Sequence, residues 1–311
     1  MAVYDLAVIG GGPGGLAAAM YGGMRGLSTV VFEAEAFGGQ LINLYPTKPV
    51  TNYPALPELV SRDIARRLAE QAGKFGADLH EWEPVEHVAR DDGGFRLGAG
   101  GRAATARTVV LALGLGRFTP RRLGLADEQR FEGRGLTYRL PPIDEIESTH
   151  AVVIGGGDTA LDTALSLRTK IDDVTIVHRR EAFSAYAFSQ GKLREADVKL
   201  VTNGEVVELV GDDALAGIVV SLAGDATIEL PADLLLVSIG QVPELRGVED
   251  WDLGISGTKL AVNAAMETET PGVLAAGDFA AYTGKVKMIA TAVAEGSTAA
   301  ASAERYLLSS N

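Results

Sequence analysis

The strongest constraint on the fold is a segment of about 30 residues that occurs twice along the chain. Residues 4–35 read YDLAVIGGGPGGLAAAMYGGMRGLSTVVFEAE, and residues 149–181 read THAVVIGGGDTALDTALSLRTKIDDVTIVHRRE, so equivalent glycines such as Gly10 and Gly155 stand 145 positions apart. Each copy has a short apolar strand, a glycine turn, a helix rich in Ala and Leu, and a second apolar strand, which predicts a βαβ unit. Two such units predict an α/β fold with parallel sheets.

Both turns follow a dinucleotide-binding pattern. The first copy has G-x-G-x-x-G, at Gly10, Gly12 and Gly15. The second has G-x-G-x-x-A, at Gly155, Gly157 and Ala160. The first small residue makes the turn, the next lets backbone amides approach a pyrophosphate, and the third packs the helix on the strand. One match alone is also compatible with a purely structural turn, but two matches between strand and helix favour two dinucleotide sites.

The second strands of the two copies end in different chemistry. Glu33 closes the first, where a carboxylate accepts hydrogen bonds from the ribose hydroxyls of an adenosine. His178 holds the equivalent position in the second copy, and Arg179 and Arg180 follow it. Guanidinium groups bind a 2′-phosphate, which a carboxylate would repel. We therefore expect FAD at the first turn and NADPH at the second; the alternative is a solvated, charged strand end.

Composition excludes several kinds of chemistry. The chain has no cysteine, so a disulfide, an iron–sulfur cluster or a thiol nucleophile is impossible, and only four widely spaced histidines argue against a metal site. A net charge of −13 argues against nucleic-acid binding. The apolar N-terminus lacks the charge of a signal peptide and is broken by glycines, and no run of about 20 apolar residues suits a membrane span. We expect a soluble cytoplasmic protein.

Two further segments point to the first site. The glycines of AFGGQLINLY suggest a loop close to a ligand, with Tyr45 placed either to stack on a flavin or to fill the core. GVLAAGD, near the C-terminus, predicts a strand ending in a turn, from which Asp278 could accept hydrogen bonds from ribityl hydroxyls. The helix that follows could face the flavin with its positive N-terminus and stabilise negative charge on the reduced ring.

The motifs together resemble one family along nearly the whole chain. They are GGGPGG, YGGMRG, GGQL, LYPTK, FEGRGLTY, GGGDTALD, HRR, METETPG, AAGD and GKVKMIATAVAEGSTA. They are similar to thioredoxin-reductase-type flavoproteins, class II pyridine nucleotide-disulfide oxidoreductase-like proteins, and most similar to the ferredoxin/flavodoxin–NADP reductase branch. The resemblance implies two Rossmann-like domains of three layers (ββα), the second inserted into the first. FAD-binding parts would span 1–117 and 246–311, and the NADP-binding domain 118–245.

The resemblance also implies cofactor contacts. Those for FAD would be Gly10, Gly12, Pro13, Gly14, Gly15, Glu33, Gln40, Tyr45, Val85, Phe118 and Asp278. Those for NADP would be Gly155, Gly157, Asp158, Thr159, His178, Arg179 and Arg180. The flavin carries the chemistry in this family, so no side chain is assigned as a catalyst and no metal is expected.

The dithiol-reducing branch carries a Cys-x-x-Cys pair after FEGRG, where this chain reads LTYRLPPIDEIE. Electrons would therefore pass directly from the flavin to ferredoxin or flavodoxin, in a homodimer. Positive charge for docking an acidic ferredoxin could come from Lys285, Lys287 and six arginines at Arg117, Arg121, Arg122, Arg130, Arg134 and Arg139. The alternative is that these charges are simply a solvated surface.

The chain departs from the family pattern at two points. Ser184 replaces an arginine that would help to hold the 2′-phosphate, which predicts weaker discrimination of NADPH from NADH. The sequence also ends 33 residues after Asp278 (311 − 278), which suggests no tail over the second flavin face. The open alternatives are an NAD(P)H oxidase or diaphorase, a thioredoxin-reductase-like flavoprotein fed by another donor, and a non-enzymatic redox sensor.

Overall fold

The computed structural model describes residues 2–44, 46, 48–56, 59–91, 93–224, 226–244, 248, 250, 251, 253, 255 and 259–310. The strands are β1 (Ala2–Ile9), β2 (Thr29–Phe32), β3 (Pro49–Val50), β4 (Leu59–Val60), β5 (Asp78–His80), β6 (Val85–Asp91), β7 (Gly94–Ala99), β8 (Arg102–Leu111), β9 (Arg117–Pro120), β10 (Leu136–Thr137), β11 (His150–Ile154), β12 (Asp173–His178), β13 (Lys199–Thr202), β14 (Gly204–Val210), β15 (Gly217–Leu222), β16 (Thr227–Pro231), β17 (Leu234–Val237), β18 (Gln241–Glu244), β19 (Leu260–Ala261), β20 (Val273–Ala275) and β21 (Ala280–Ala281). The helices are α1 (Pro13–Met24), α2 (Gln40–Asn43), α3 (Ser61–Lys74), α4 (Glu128–Phe131), α5 (Asp158–Arg168), α6 (Ala187–Glu195) and α7 (Ile289–Ser309), with 3₁₀ turns at Ile143–Glu145 and Gly277–Phe279.

The chain forms two compact units. The first comprises Met1–Phe118 and Pro243–Asn311, and the second is Thr119–Val242. Strands β9 and β18 pair as a two-stranded sheet.

The first unit is built on a sheet with parallel order β5-β2-β1-β8. Strand β8 has different neighbours along its length. Its first half pairs antiparallel with β7, and its last residues pair parallel with β20. The carboxyl ends of β1, β2, β8 and β20 therefore lie along one edge of the sheet, the edge at which ligands bind in such folds.

Alternate residues of β1 enter two different cores, which gives the first unit its layers. Leu6 and Val8 pack with apolar residues of α1 and α7. Ala7 and Ile9 pack on the opposite face with residues of β6, β7 and the first half of β8. Both faces of the strand are covered, which explains why β1 reads as a nearly continuous apolar run rather than an alternating one.

The second unit repeats this plan. Its parallel sheet has the order β10-β17-β11-β12-β13, and β14, β15 and β16 form a separate antiparallel sheet. Ala151 and Val153 pack with residues of α5 and α6, while Val152 and Ile154 pack with residues of β14 and β15. The fold-class prediction, an α/β protein with two Rossmann-like halves of parallel strands, is confirmed.

Within the described part of the chain, no helix combines the length and the apolar character that a membrane crossing requires.

Candidate functional site

The first glycine turn joins β1 to α1, and its glycines have different reasons to be small. Gly10 has φ +104°, and a Cβ there would stand 2.3 Å from the carbonyl oxygen of Ala112. A Cβ on Gly15 would stand 1.9 Å from the carbonyl oxygen of Gly10. Gly12 is different, because the nearest described heavy atom to its Cβ position is the Cα of Gly39 at 4.0 Å. Packing therefore requires glycine at positions 10 and 15, whereas space for a Cβ is left beside Gly12.

Helix α1 begins directly beside that space. Pro13 stands in its first turn, where a missing N–H costs no intrahelical bond. The first amides of a helix have no intrahelical acceptors and carry the positive end of its dipole. Gly12 and the start of α1 thus form a cradle suited to an anion.

Glu33 follows β2 at the same edge of the sheet. Its carboxylate accepts hydrogen bonds from the Gly11 N–H at 2.6 Å and from the Glu35 N–H at 2.9 Å. Burial raises the pKa of Glu33 above its usual value, although these backbone bonds favour the ionised form. The side chain is thereby fixed against the second residue of the glycine turn.

Two segments distant in sequence meet the turn. A Cβ on Gly39 would stand 3.2 Å from the Cα of Gly12, and one on Gly14 would stand 3.2 Å from the amide nitrogen of Gly277. The Gln40 side-chain amide donates to the Asp278 carboxylate at 3.0 Å. The fold therefore brings the predicted residues of the glycine turn, Gln40 and Asp278 together.

The remaining predictions for this site differ in how far the structure describes them. Val85 begins β6, two residues after Glu83, whose N–H donates to the Glu33 carbonyl oxygen at 3.0 Å. Tyr45 lies outside the described residues. Phe118 belongs to β9, but its side chain is outside the described part.

Beside Gly277 lies an ion pair that the sequence analysis did not find. Glu295 of α7 is buried and accepts hydrogen bonds from the Gly277 N–H at 2.8 Å and the Tyr282 hydroxyl at 2.6 Å. Lys285 pairs with Glu295 and donates to the Gly277 carbonyl oxygen at 2.7 Å. Its side chain is only 12% exposed, so the expectation that Lys285 offers surface charge for docking was wrong. The sequence feature that could have indicated this pair is Glu295, a charged residue inside the Ala-rich run TAVAEGSTAA.

The second glycine turn joins β11 to α5 and matches the first. Gly155 has φ +148°, and its Cβ would stand 2.4 Å from the Ser238 carbonyl oxygen, just as Gly10 lies against Ala112. Gly157 borders open space, with the Ser184 hydroxyl oxygen at 3.8 Å as the nearest described atom to its Cβ position. A second cradle thus stands at the start of α5.

His178 lies against this turn as Glu33 lies against the first. A Cβ on Gly156 would stand 2.3 Å from the His178 ring, which stacks on Phe183 at 5.2 Å between centroids. The Ser184 hydroxyl donates to the Gly156 carbonyl oxygen at 3.1 Å, and the Ser184 N–H donates to the same oxygen at 2.8 Å. Because the hydroxyl proton is already engaged, Ser184 is a poor substitute for a guanidinium that would donate to a phosphate.

Arg179 and Arg180 follow His178 and are exposed, and neither side chain has a partner among the described residues. Thr159 lies at the start of α5. Asp158 accepts hydrogen bonds from the Tyr186 N–H at 2.9 Å and the Ser189 hydroxyl at 3.2 Å. The contacts that the structure gives Asp158 are therefore with the start of α6.

The two turns on parallel sheets define the class of protein: an α/β protein with two dinucleotide-binding folds. The chain belongs to the pyridine nucleotide-disulphide oxidoreductase family, whose model matches residues 4–296. It does so without a cysteine, so it lacks the disulfide in the family's name.

Two curated relatives narrow the comparison. The chain is 36% identical over 309 residues to ferredoxin–NADP reductase 2 of Oceanobacillus iheyensis, covering 98% of this chain and 94% of the relative. It is 39% identical over 298 residues to ferredoxin–NADP reductase of Saccharopolyspora erythraea, covering 95% and 90%. Among solved structures, thioredoxin reductase of T. acidophilum is similar with a TM-score of 0.86 at 24% identity, over 100% of both chains. That structural similarity supports the fold.

Proposed function

We propose that this chain is an FAD-dependent oxidoreductase that exchanges electrons between NADPH and a small carrier protein, ferredoxin or flavodoxin, without a redox disulfide. The observation that carries the proposal is the contrast between two equivalent turns. A carboxylate, Glu33, is fixed at the first, and Arg179 and Arg180, whose side chains have no partner among the described residues, follow the second. The relatives named ferredoxin–NADP reductase support the same activity.

FAD fits the first turn. The open space beside Gly12 and the start of α1 would receive the pyrophosphate, and Glu33 would accept from the ribose hydroxyls. Gln40 and Asp278, which are hydrogen-bonded to each other, would hold the ribityl and flavin end. On the family resemblance, Val85 would also contact FAD, and Tyr45 and Phe118 would lie beside the flavin. Bound FAD would supply the chemistry, taking two electrons from NADPH and releasing them singly to the carrier.

NADPH fits the second turn for a complementary reason. Gly155 makes the turn, and Gly157 leaves room for the pyrophosphate at the start of α5, where Thr159 stands. Arg179 and Arg180 would bind the 2′-phosphate through charge-assisted hydrogen bonds. His178 replaces the carboxylate that would repel this phosphate. Two guanidinium groups rather than three are available, because Ser184 offers only a hydroxyl already bonded to Gly156.

Composition supports direct transfer from the flavin, because it excludes a dithiol relay. A chain without cysteine cannot pass electrons through a dithiol. The decisive assay is cytochrome c reduction by NADPH with ferredoxin, with flavodoxin, and with no carrier. We expect a rate that depends on adding the carrier. Rapid oxygen consumption without a carrier would instead identify an oxidase or diaphorase, and a protein that no nicotinamide reduces would contradict the proposal.

Carrier docking should depend on exposed positive charge, since charge steers association with an acidic ferredoxin. Lys287 is exposed on the segment between Asp278 and α7. Among the arginines, Arg122 pairs with Glu132 and Arg130 bonds the carbonyl oxygens of Gly211 and Asp212. Three further arginines are exposed and have no side-chain partner in the described part: Arg121, Arg134 and Arg139. The side chain of Arg117 lies outside that part. Fewer cations are therefore free than the sequence suggested.

The docking proposal is tested with Lys287→Glu against Lys74→Glu. Lys74 ends α3 just before β5, at the edge of the sheet opposite the glycine turn. Lys74→Glu therefore makes the same charge change far from the proposed docking surface. We expect Lys287→Glu to lower kcat/KM for ferredoxin and weaken its salt dependence, without changing reduction of FAD by NADPH. Equal effects from both variants, or a rate insensitive to salt, would contradict docking at Lys287.

We also propose that the active form is a cytoplasmic homodimer. Light scattering on the purified protein should give twice the mass of one chain. A monomer with full carrier-dependent activity would contradict this part of the proposal.

A further inference from the structure

We propose that Lys285 and Glu295 are positioning residues of the FAD site: their ion pair holds the Gly277–Asp278 turn in place and balances the charge beside the flavin. This inference rests on the proposed function, because it assumes that FAD occupies the first turn. It assigns a role to two buried charges that the cofactor contacts do not use.

The pair holds one residue by both of its backbone polar groups. The Gly277 N–H donates to Glu295 at 2.8 Å, and the Gly277 carbonyl oxygen accepts from Lys285 at 2.7 Å. Gly277 has a φ of +71°, which glycine reaches without strain, so these two contacts select one of the several conformations open to this residue. The ion pair therefore determines where the next residue, Asp278, stands.

That turn forms one wall of the first cradle. A Cβ on Gly14 would stand 3.2 Å from the Gly277 amide nitrogen, so Gly277 packs directly on the start of α1. Asp278 is bonded to Gln40 on the other side. A shift of Gly277 would consequently move contacts to α1 and to Gln40 together.

The pair is also an electrostatic element. Both side chains are largely withdrawn from water, at 12% and 4% exposed, so their charges are weakly screened. A nearby cation favours electrons on the flavin, and a nearby anion opposes them. Burial and the hydrogen bond to Glu295 raise the pKa of Tyr282 to about 12. Tyr282 therefore stays neutral and donates to Glu295 without adding a charge. The two opposite charges thus largely cancel each other at the turn.

A purely structural ion pair and a charge-balancing one predict different results. Removing either partner of a buried pair leaves an uncompensated charge and destabilises the protein in both cases. Only the charge-balancing role makes the two single substitutions move the reduction potential of bound FAD in opposite directions. The sign of that shift is therefore the informative measurement.

The experiment measures the FAD midpoint potential and the FAD dissociation constant of the full chain and of Lys285→Met, Glu295→Gln and the double variant. The matched control is Lys74→Met, which removes the charge of an exposed lysine at the opposite edge of the sheet. We expect a more negative potential for Lys285→Met, a more positive one for Glu295→Gln, and values near wild type for the double variant and the control. Both single variants should bind FAD roughly tenfold more weakly.

Shifts of the same sign, or no shift with FAD bound, would overturn the charge-balancing role. Should Lys285→Met fail to fold, Lys285→Arg keeps the charge and should retain the wild-type potential, and Glu295→Gln alone still tests the sign. A wild-type protein that binds FAD and is reduced by NADPH while the variants show no shift would refute this inference alone. A wild-type protein that binds no FAD would refute the proposed function as well.

Discussion

At the scale of single residues, two positions do most to separate the sites. Glu33 and His178 occupy equivalent places, each against the middle glycine of its turn, Gly11 or Gly156. A carboxylate bonded to a backbone amide suits ribose hydroxyls. An imidazole followed by two exposed guanidinium groups suits a phosphate. The backbone is thus repeated while the recognition chemistry differs.

Glu33 should make FAD binding dependent on pH. Burial raises the pKa of its carboxyl above the usual 4.5, whereas ribose hydroxyls donate to the ionised form. FAD affinity should therefore rise as the pH increases from 4.5 and level off once Glu33 is ionised. Calorimetric titration of apoprotein with FAD across this range measures the effect.

Glu33→Gln is the control. We expect this variant to bind FAD more weakly and its FAD affinity to depend less on pH. The folded apoprotein holds the Glu33 proton at a higher pH than the unfolded chain does, so its stability should fall as pH rises through that interval. Glu33→Gln should remove this loss. An affinity profile of the same shape in both proteins would show that Glu33 does not touch the ribose.

Ser184 should set the preference between the two nicotinamide cofactors. Replacing it with arginine would add a charge-assisted hydrogen bond to the 2′-phosphate, worth about 1.5–3 kcal/mol. Ser184→Arg should raise the ratio of kcat/KM for NADPH over NADH about 10- to 150-fold. Steady-state reduction of an artificial acceptor with each nicotinamide measures this ratio.

Ser184→Ala is the matched variant, because it removes the hydroxyl bonded to Gly156 and adds no charge. We expect it to change the ratio little. If the alanine variant lost NADPH preference as strongly as the arginine variant gained it, the Ser184 hydroxyl itself would have to contact the phosphate.

At the scale of elements, each βα turn should serve one cofactor. A Cβ on Gly12 or Gly157 would stand no closer than ordinary van der Waals contact to the described atoms of other segments, so an added methyl group would crowd the ligand rather than the protein. Gly12→Ala should weaken FAD binding and leave the NADP dissociation constant unchanged, and Gly157→Ala should do the reverse. Both should keep the wild-type unfolding temperature of the apoprotein. Equal effects of both variants on both cofactors would contradict the two-site assignment.

Helices α1 and α7 approach each other at Gly296. A Cβ there would stand 2.1 Å from the Gly14 carbonyl oxygen and 2.9 Å from the Ala18 nitrogen. Helix propensity alone would make Gly296→Ala stabilising by up to about 1 kcal/mol. Packing predicts the opposite sign, a loss of about 1–3 kcal/mol, with weaker FAD binding because Gly14 moves. Denaturant unfolding of the holoprotein measures both effects.

Gly191, inside α6, is the control because a Cβ there meets no described atom within 4 Å. Gly191→Ala should stabilise the protein by the amount that helix propensity predicts. A stabilising Gly296→Ala would show that α1 and α7 do not pack as closely as described.

At the scale of the whole molecule, sequence predicted what depends on local backbone and missed what depends on distant pairing. The glycine turns and strand ends were predictable because a required φ or a close approach restricts the residue type, as at Gly10 and Gly155. Gln40 and Asp278 were each expected at the first site, but their mutual bond spans 238 positions. Lys285 was expected to offer surface charge, because sequence alone does not show that it is paired with Glu295 and largely buried.

The central claim is that FAD is the only redox group between NADPH and the carrier. Its most direct test is an anaerobic reductive titration of the purified holoprotein, first with dithionite and then with NADPH, followed by flavin absorbance. Because the chain has no cysteine, full bleaching should require two electrons per FAD, and NADPH should also bleach the flavin. A requirement for four electrons, or a flavin that NADPH leaves oxidised, would contradict the claim.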